Sequence, residues 1–156
     1  MIYLEKPTNF KKDLHVVSCL IELSNKDEED SKKYLFLKTN KSKKDTSNLW
    51  GIPAGKVKKG EDLVDAVKRE IFEETEISLN IKKIKFIKRI YIKQEKKEFI
   101  YDMYYSKVKS KKVKLSKEHS EYRWLTLKES QKMKLIEDEI ECNNIFLQWK
   151  KTINDQ

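Results

Sequence analysis

Several features that define whole classes of protein are absent from this sequence of 156 residues. Its two cysteines, Cys19 and Cys142, stand far apart and outside the spacings of metal or redox motifs, so we expect free thiols. No apolar run approaches the roughly 20 residues that span a bilayer. The N-terminus also lacks the pattern of a signal peptide. We therefore expect a cytoplasmic protein that does not bind membranes.

Arginine is also scarce, because nearly all of the 35 basic residues are lysine. The planar guanidinium of arginine suits paired contacts with bases and phosphates, so its shortage argues against a dedicated nucleic-acid reader. The formal net charge of +9 fits a lysine-coated surface that attracts a polyphosphate substrate. A nucleic-acid partner is therefore disfavoured, although the charge leaves it open.

The apolar residues form compact runs, which predicts one globular domain over residues 1–156. Residues 14–23 and 34–38 predict two buried strands joined as a hairpin by a long loop, and a polar loop follows over residues 39–48. Further strands are predicted over residues 81–94, 98–108 and 122–127, and a helix with one apolar face over residues 135–153. This order predicts the α/β class, with helices on a mixed sheet.

Glycine and proline are few, yet they are concentrated in one segment. All three glycines and Pro53 fall within residues 51–60. Such a concentration indicates a backbone that needs unusual torsions or approaches a ligand closely.

A helix follows this loop and carries a cluster of acidic residues. An apolar stripe that includes Ala66 and Ile71 predicts a helix that ends near Thr75. Glu70, Glu73 and Glu74 share one face of that helix, where their charges repel one another. Alone, such a cluster is usually a solvated helix face. Next to the glycine-rich loop, it favours a site for Mg²⁺ or Mn²⁺, which prefer oxygen ligands.

Residues 55–77 resemble the Nudix box, the signature of the Nudix hydrolase superfamily. Gly55, Glu61, Arg69-Glu70 and Glu73-Glu74 have its spacing. Residues 50–56 resemble the entry to the box in MutT-like members, and residues 118–124 resemble their late acidic loop. The resemblance covers about residues 14–150. It implies a Nudix-type α/β/α sandwich with a mixed β-sheet and a metal-dependent pyrophosphohydrolase.

The resemblance also implies roles for individual residues. Glu73 and Glu118 are the implied proton acceptors, and Arg69 is implied to hold a glutamate rather than contact substrate. Lys56 follows the loop glycine and is expected to contact a phosphate. For Glu61, a structural role that supports the loop and a functional role are both open. The implied ligands of a Mg²⁺ or Mn²⁺ ion are the Ala54 carbonyl and the carboxylates of Glu70, Glu73, Glu74 and Glu118.

Alternatives remain at a few positions. Glu121 is the alternative to Glu118 in the late loop, and His119 is expected to be solvated rather than catalytic. His15 is expected to be structural, and the aromatic residues at positions 99–105 are expected to lie in the sheet. The family's glycine near the end of the box is replaced by Glu76. A left-handed residue there would cost on the order of 1 kcal/mol.

The expected reaction is hydrolysis of a phosphoanhydride bond in a nucleoside diphosphate derivative. A (deoxy)nucleoside triphosphate, cleaved to monophosphate and pyrophosphate, is preferred over ADP-ribose or a dinucleoside polyphosphate, because a compact chain suits a single base. A non-catalytic Nudix module that binds a nucleotide or RNA is the main rival, but it would not need three adjacent carboxylates. Nothing in the sequence indicates the preferred base, the number of metal ions or the oligomeric state.

Overall fold

The computed structural model describes residues 1–25, 28–40 and 48–154. Three helices occur in these ranges: α1 (Leu63–Thr75), α2 (Leu127–Ser130) and α3 (Glu139–Asn154). Short 3-10 turns cover Glu29–Ser31 and Ile81–Lys83. The strands are β1 (Ile2–Tyr3), β2 (Leu14–Leu23), β3 (Tyr34–Thr39), β4 (Trp50–Gly51), β5 (Ala54–Lys56), β6 (Lys85–Lys93), β7 (Glu98–Val108) and β8 (His119–Leu125).

The eight strands of the described residues form one mixed sheet in the order β1-β6-β7-β2-β3-β4. β5 also pairs with β2, and β8 pairs with β3. β2 and β7 run parallel at the centre, in register from Leu14 opposite Phe99 to Leu23 opposite Val108. The other pairs that form the sheet are antiparallel.

The sheet is covered on both faces, because alternate residues of β2 point to opposite sides. Val17, Cys19 and Ile21 pack with Ala66 and Ile71 of α1 in one apolar cluster. Leu20 joins a second cluster with aromatic residues of the sheet and with Phe146 of α3. The predicted α/β/α sandwich is therefore confirmed. No helix within the described residues has both the length and the apolar character needed to span a membrane.

The predicted hairpin is only partly right. β2 and β3 run antiparallel, but the register pairs only Glu22 with Tyr34. This pair lies near the end of β2 and at the start of β3. β5 pairs with β2 from Val16 to Ser18, and β8 pairs along the whole of β3, so the two strands separate. The predicted loop over residues 39–48 falls mainly on residues 41–47, which lie outside the described ranges.

Element ends differ from the prediction where tertiary contacts decide them. The strand predicted from residue 81 begins at Lys85, because Asn80 caps the preceding 3-10 turn. The strand predicted over 122–127 ends at Leu125, where Thr126 caps α2 with a capping box. The helix predicted from Leu135 begins at Glu139, because the backbone of residues 134–136 bonds to Trp50. β1 precedes the predicted first strand and pairs with β6.

The end of α1 matches the prediction at residue 75 and shows how Glu76 is accommodated. Glu76 has φ 56° and ψ 19°, the left-handed conformation that favours glycine. Its N–H donates to the Phe72 carbonyl at 2.8 Å, and its carboxylate lies 3.6 Å from the Lys114 ammonium. Position 76 therefore has a left-handed conformation at the cap although its residue is not glycine.

Candidate functional site

Gly55 lies where the glycine-rich loop meets α1. A Cβ atom built on Gly55 would overlap the carboxylate of Glu70. Gly55 pairs with Val17 in the sheet, so its backbone has little freedom to retreat. Glycine at position 55 therefore leaves the space that the Glu70 side chain occupies.

Arg69 joins the loop to the acidic face of α1. A guanidinium has five N–H donors. In Arg69 they make hydrogen bonds of 2.7–3.1 Å to four residues, namely Lys56 (through its carbonyl), Glu61, Glu70 and Glu73. These contacts agree with the expectation that Arg69 holds glutamates in place, because every donor is used within the chain.

Glu61 supports the loop through its two carboxylate oxygens. One accepts from the Lys58 N–H at 3.0 Å, and both accept from Arg69. The hydrogen bonds from Arg69 lower the pKa of Glu61 to about 2. The contacts of Glu61 therefore favour the structural role that the sequence left open.

The pKa of Glu70 is shifted in the opposite direction from that of Glu61. Burial raises the pKa of Glu70 above its usual range, and the charges of Glu73 and Glu118 add to the rise. Arg69 opposes it. A nearby like charge disfavours the ionised form of a carboxyl, and Glu118 contributes such a charge from the late loop.

Glu74 faces a different set of partners from Glu70 and Glu73. One ligand atom from each of Glu74, Glu118 and His119 lies within 4.8 Å of the other two. Glu74 is buried, His119 is half-buried and Glu118 is exposed. Two carboxylates and an imidazole at this spacing suit a divalent cation, which would also offset the repulsion between the carboxylates.

Backbone hydrogen bonds fix the late loop against α1. The Ser116 N–H donates to the Glu74 carbonyl at 3.1 Å, and the Lys114 N–H donates to the Thr75 carbonyl at 3.0 Å. The Glu118 N–H donates to the Ser116 hydroxyl at 3.3 Å. These bonds satisfy carbonyls at the end of the helix and hold Glu118 beside Glu74.

A cavity of about 550 Å³ begins at this cluster and runs between the sheet and α3. Glu74, His119 and Ala54 to Lys56 line one part of it. Its wall also includes residues of the central strands and of the start of α3, among them Leu14, Ile92, Phe99, Tyr101, Asp138 and Glu139. A volume of this size lies within the range of small-molecule pockets, roughly 300–1,000 Å³.

Three consecutive acidic residues, Glu137, Asp138 and Glu139, line the cavity where α3 begins. Glu139 is only 6% exposed, and its carboxylate accepts from the Ile52 N–H at 2.7 Å. Burial raises the pKa of Glu139 to about 7. Asp138 has φ 71°, and its Oδ2 has no hydrogen-bond partner among the described residues, although the N-terminal ammonium lies 3.8 Å away.

The predicted site residues therefore divide into groups. Ala54 and Lys56 line the cavity beside Glu74, whereas Glu70 and Glu73 bond to Arg69. Glu121, the alternative in the late loop, lies on β8 with its carboxylate 3.2 Å from the Lys38 ammonium.

Other expectations concern residues around the site. His15 contacts Asp102 at 2.6 Å, as expected of a structural residue. Phe99 and Tyr101 lie in the sheet as expected, but they also line the cavity.

His119 was expected to be solvated, and Asp138 and Glu139 were not predicted at the site, yet all three line the cavity. Each reaches the cavity through contacts between segments that are distant in sequence. The adjacency of His119 to Glu118 was a usable signal for the first. No comparable signal marked the other two.

The chain resembles known proteins in both sequence and fold. The NUDIX domain family matches residues 13–144. The 8-oxo-dGTP diphosphatase of Buchnera aphidicola is 41% identical over 98 residues, which cover 62% of this chain and 73% of that protein.

Solved structures show the same fold. The MutT protein of Methanosarcina mazei Go1 has a TM-score of 0.70 and 25% identity, covering 89% of this chain and 94% of that one. The NUDIX domain of Shewanella oneidensis NrtR, solved with ADP-ribose, has a TM-score of 0.74 and 18% identity. That match covers 92% of each chain.

Proposed function

Because this chain belongs to the NUDIX family and is a MutT-like pyrophosphohydrolase that acts on nucleotide derivatives, we propose that its substrate is a (deoxy)nucleoside triphosphate. Hydrolysis at the β-phosphorus breaks the bond from that phosphorus to the bridging oxygen shared with the α-phosphate. The products are nucleoside monophosphate and pyrophosphate, and the oxygen of water enters the pyrophosphate.

One observation carries the proposal: a single cavity joins the Glu74 cluster to a compartment between the sheet and α3. The compartment has apolar and aromatic walls, which suit one planar base. The cluster beside it suits a polyphosphate chain that carries a divalent cation. A substrate with one base and a phosphate tail matches both parts.

The acidic end of the cavity supports a base with N–H donors. Asp138 and Glu139 offer carboxyl oxygens, and a guanine-type edge presents a ring N–H and an amino group to such acceptors. The similarity to an 8-oxo-dGTP diphosphatase points in the same direction. Guanine nucleotides, including the 8-oxo form, are therefore the preferred substrates in this proposal.

Nudix hydrolases generally use divalent metal ions, and the donor set at Glu74 and Glu118 fits one. In the proposal these two carboxylates and the Ala54 carbonyl would hold a Mg²⁺ or Mn²⁺ ion, and Glu70 and Glu73, the other predicted ligands, accept hydrogen bonds from Arg69. When bound, the ion neutralises phosphate oxygens and makes a water molecule more acidic.

The chain's own residues orient the substrate and accept the proton. Lys56 lines the cavity next to Gly55 and neutralises charge on the phosphate tail. A carboxylate has two oxygens, so Glu118 would help to hold the ion through one and would accept the proton of the attacking water through the other. Glu73, the other predicted acceptor, is half-exposed and accepts a hydrogen bond from Arg69.

A substrate panel tests this proposal. We would measure kcat/KM with Mg²⁺ for the common nucleoside triphosphates, 8-oxo-dGTP, ADP-ribose and diadenosine polyphosphates, and would identify the products. The expected result is a guanine triphosphate as the best substrate, with ¹⁸O from labelled water in pyrophosphate. A preference of about tenfold or more for ADP-ribose or a dinucleotide, equivalent to about 1.4 kcal/mol, would overturn it.

The variant Asp138→Asn tests the base contact separately. An amide can accept one hydrogen bond but also presents donors to the base, so we expect guanine triphosphates to lose about tenfold or more in kcat/KM relative to adenine triphosphates. Glu141→Gln changes an exposed carboxylate of α3 that does not line the cavity, and it serves as the control. Equal losses on all bases would remove Asp138 from base recognition.

A further inference from the structure

His119 is fixed at the junction of the late loop and the sheet. It is the first residue of β8, its Cα lies opposite Thr39, and its N–H donates to the Ser116 carbonyl at 3.3 Å. Its side chain lines the cavity that contains Glu74. The imidazole is therefore held near the carboxylates by backbone contacts on both sides.

The spacing of the three side chains fits a single ion. Nitrogen and oxygen ligands lie about 2.0–2.2 Å from a first-row divalent ion, so two ligands of one ion are at most about 4.4 Å apart. The ligand atoms of Glu74, Glu118 and His119 already lie within 4.8 Å of one another. Three atoms at this spacing lie at most about 2.8 Å from a common centre, so side-chain movements of up to roughly 0.6–0.8 Å would bring all three to bonding distance.

The site is also preformed, because its ligands come from two segments that are bonded together. The Ser116 N–H to Glu74 carbonyl bond joins α1 to the late loop two residues before Glu118. Glu70 and Glu73 accept hydrogen bonds from Arg69. The cluster at Glu74 thus includes the imidazole nitrogen of His119, whereas the ligands that the resemblance implies are all oxygen atoms.

We propose that His119 is a direct ligand of the divalent ion and that it raises the affinity of the site for transition-metal ions relative to Mg²⁺. Mg²⁺ prefers oxygen ligands and keeps much of its water. Imidazole nitrogen instead favours first-row transition ions, with affinity rising from Mn²⁺ towards Co²⁺ and Ni²⁺. The inference rests on the proposed function only for the presence of a metal at Glu74.

Metal binding measured without substrate tests the inference. We would titrate Co²⁺ and Mg²⁺ into wild-type protein, His119→Ala and His119→Asn by calorimetry, and would record the visible spectrum of the Co²⁺ complexes. His119→Ala is expected to weaken Co²⁺ binding by about 10- to 100-fold and to change Mg²⁺ binding by less than about threefold. The spectrum of bound Co²⁺ should change with it.

His15→Gln is the matched control, because it removes the other histidine of the chain, which contacts Asp102 instead of lining the cavity. It should leave both affinities unchanged. Equal weakening of Co²⁺ and Mg²⁺ in His119→Ala, or no change in either, would overturn the inference. If His119→Ala does not fold, the same comparison applies to His119→Asn.

The outcome is separable from that of the proposed function. Selective loss of Co²⁺ binding in the variants, together with no triphosphate hydrolysis by the wild type, would support His119 as a ligand and reject the proposed substrate. Triphosphate hydrolysis by the wild type, together with no effect of the His119 variants on the ratio of Co²⁺ to Mg²⁺ affinity, would support the proposed substrate and reject His119 as a ligand.

Discussion

At the scale of single residues, Glu74 is the carboxylate on which the proposed site depends most. It is 4% exposed and faces both Glu118 and His119. We expect Glu74→Gln to lower kcat by about 10²-fold or more, because a neutral amide binds a divalent ion weakly. Steady-state kinetics in saturating Mg²⁺ check this.

The control for Glu74→Gln is Asp65→Asn, which makes the same charge change at an exposed position of α1. It should keep kcat within about twofold of the wild type, because surface charges of this kind contribute little. Near wild-type turnover of Glu74→Gln would remove Glu74 from the metal site.

Arg69 acts through the residues that it holds. Its five hydrogen bonds require a planar fork, which a lysine ammonium does not provide. We expect Arg69→Lys to lower kcat by roughly 10- to 100-fold while KM changes little, because the carboxylates lose their orientation. A change confined to KM would instead indicate that Arg69 contacts substrate.

At the scale of elements, the left-handed end of α1 gives a prediction about stability. Glu76→Gly removes the strain of a Cβ at φ 56°, so we expect the free energy of unfolding to rise by about 0.5–1 kcal/mol. The pair with Lys114 is largely exposed and contributes little. Urea unfolding measures the change.

Glu76→Ala separates the two contributions, because it keeps the Cβ and removes the ion pair. It should not stabilise the chain. Equal stabilisation by Gly and Ala would show that the Glu76 carboxylate, rather than its backbone conformation, is unfavourable.

Elements with a strong local pattern could be predicted from sequence, and elements held by distant partners could not. The end of α1 at Thr75 and the whole of β7 follow from periodicity within the segment. β1 has only two residues and depends on pairing with β6. Leu135 looks helical by composition, but its backbone bridges to Trp50 instead.

The same distinction applies to the site. The carboxylates of α1 share a helical face, so their proximity follows from spacing alone. The meeting of His119 with Glu74, and the placement of Asp138 in the cavity, depend on how separate segments are joined. Spacing along the chain carries no information about such contacts.

At the scale of the whole molecule, Glu139 makes the stability depend on pH. Burial raises the pKa of Glu139 to about 7, against about 4.3 for an unfolded glutamate. Between these values the folded state keeps a proton that the unfolded state has released. Protonated Glu139 therefore contributes its full stabilisation below about pH 4.3. This contribution decreases as the pH rises above 4.3 and is lost once the pH has passed through 7.

We expect the loss to be roughly 3–4 kcal/mol across this window, since one pKa unit corresponds to about 1.4 kcal/mol. It should be absent in Glu139→Gln. Chemical unfolding of both proteins from about pH 4.5 to 8 measures the difference. Glu141→Gln, on an exposed residue of the same helix, should behave like the wild type. A pH-independent difference between wild type and Glu139→Gln would contradict the assignment.

The parallel pairing of β2 with β7 has a consequence for the order of folding. His15 and Asp102, which meet across this pair, are 87 residues apart in the chain. Closing so long a loop costs conformational entropy before any contact compensates it, so we expect refolding on a timescale of about milliseconds to seconds. A chain emerging from the ribosome could not complete its central sheet until β7 had been synthesised. Until then, the apolar β2 would lack its central partner and present an open edge to other chains.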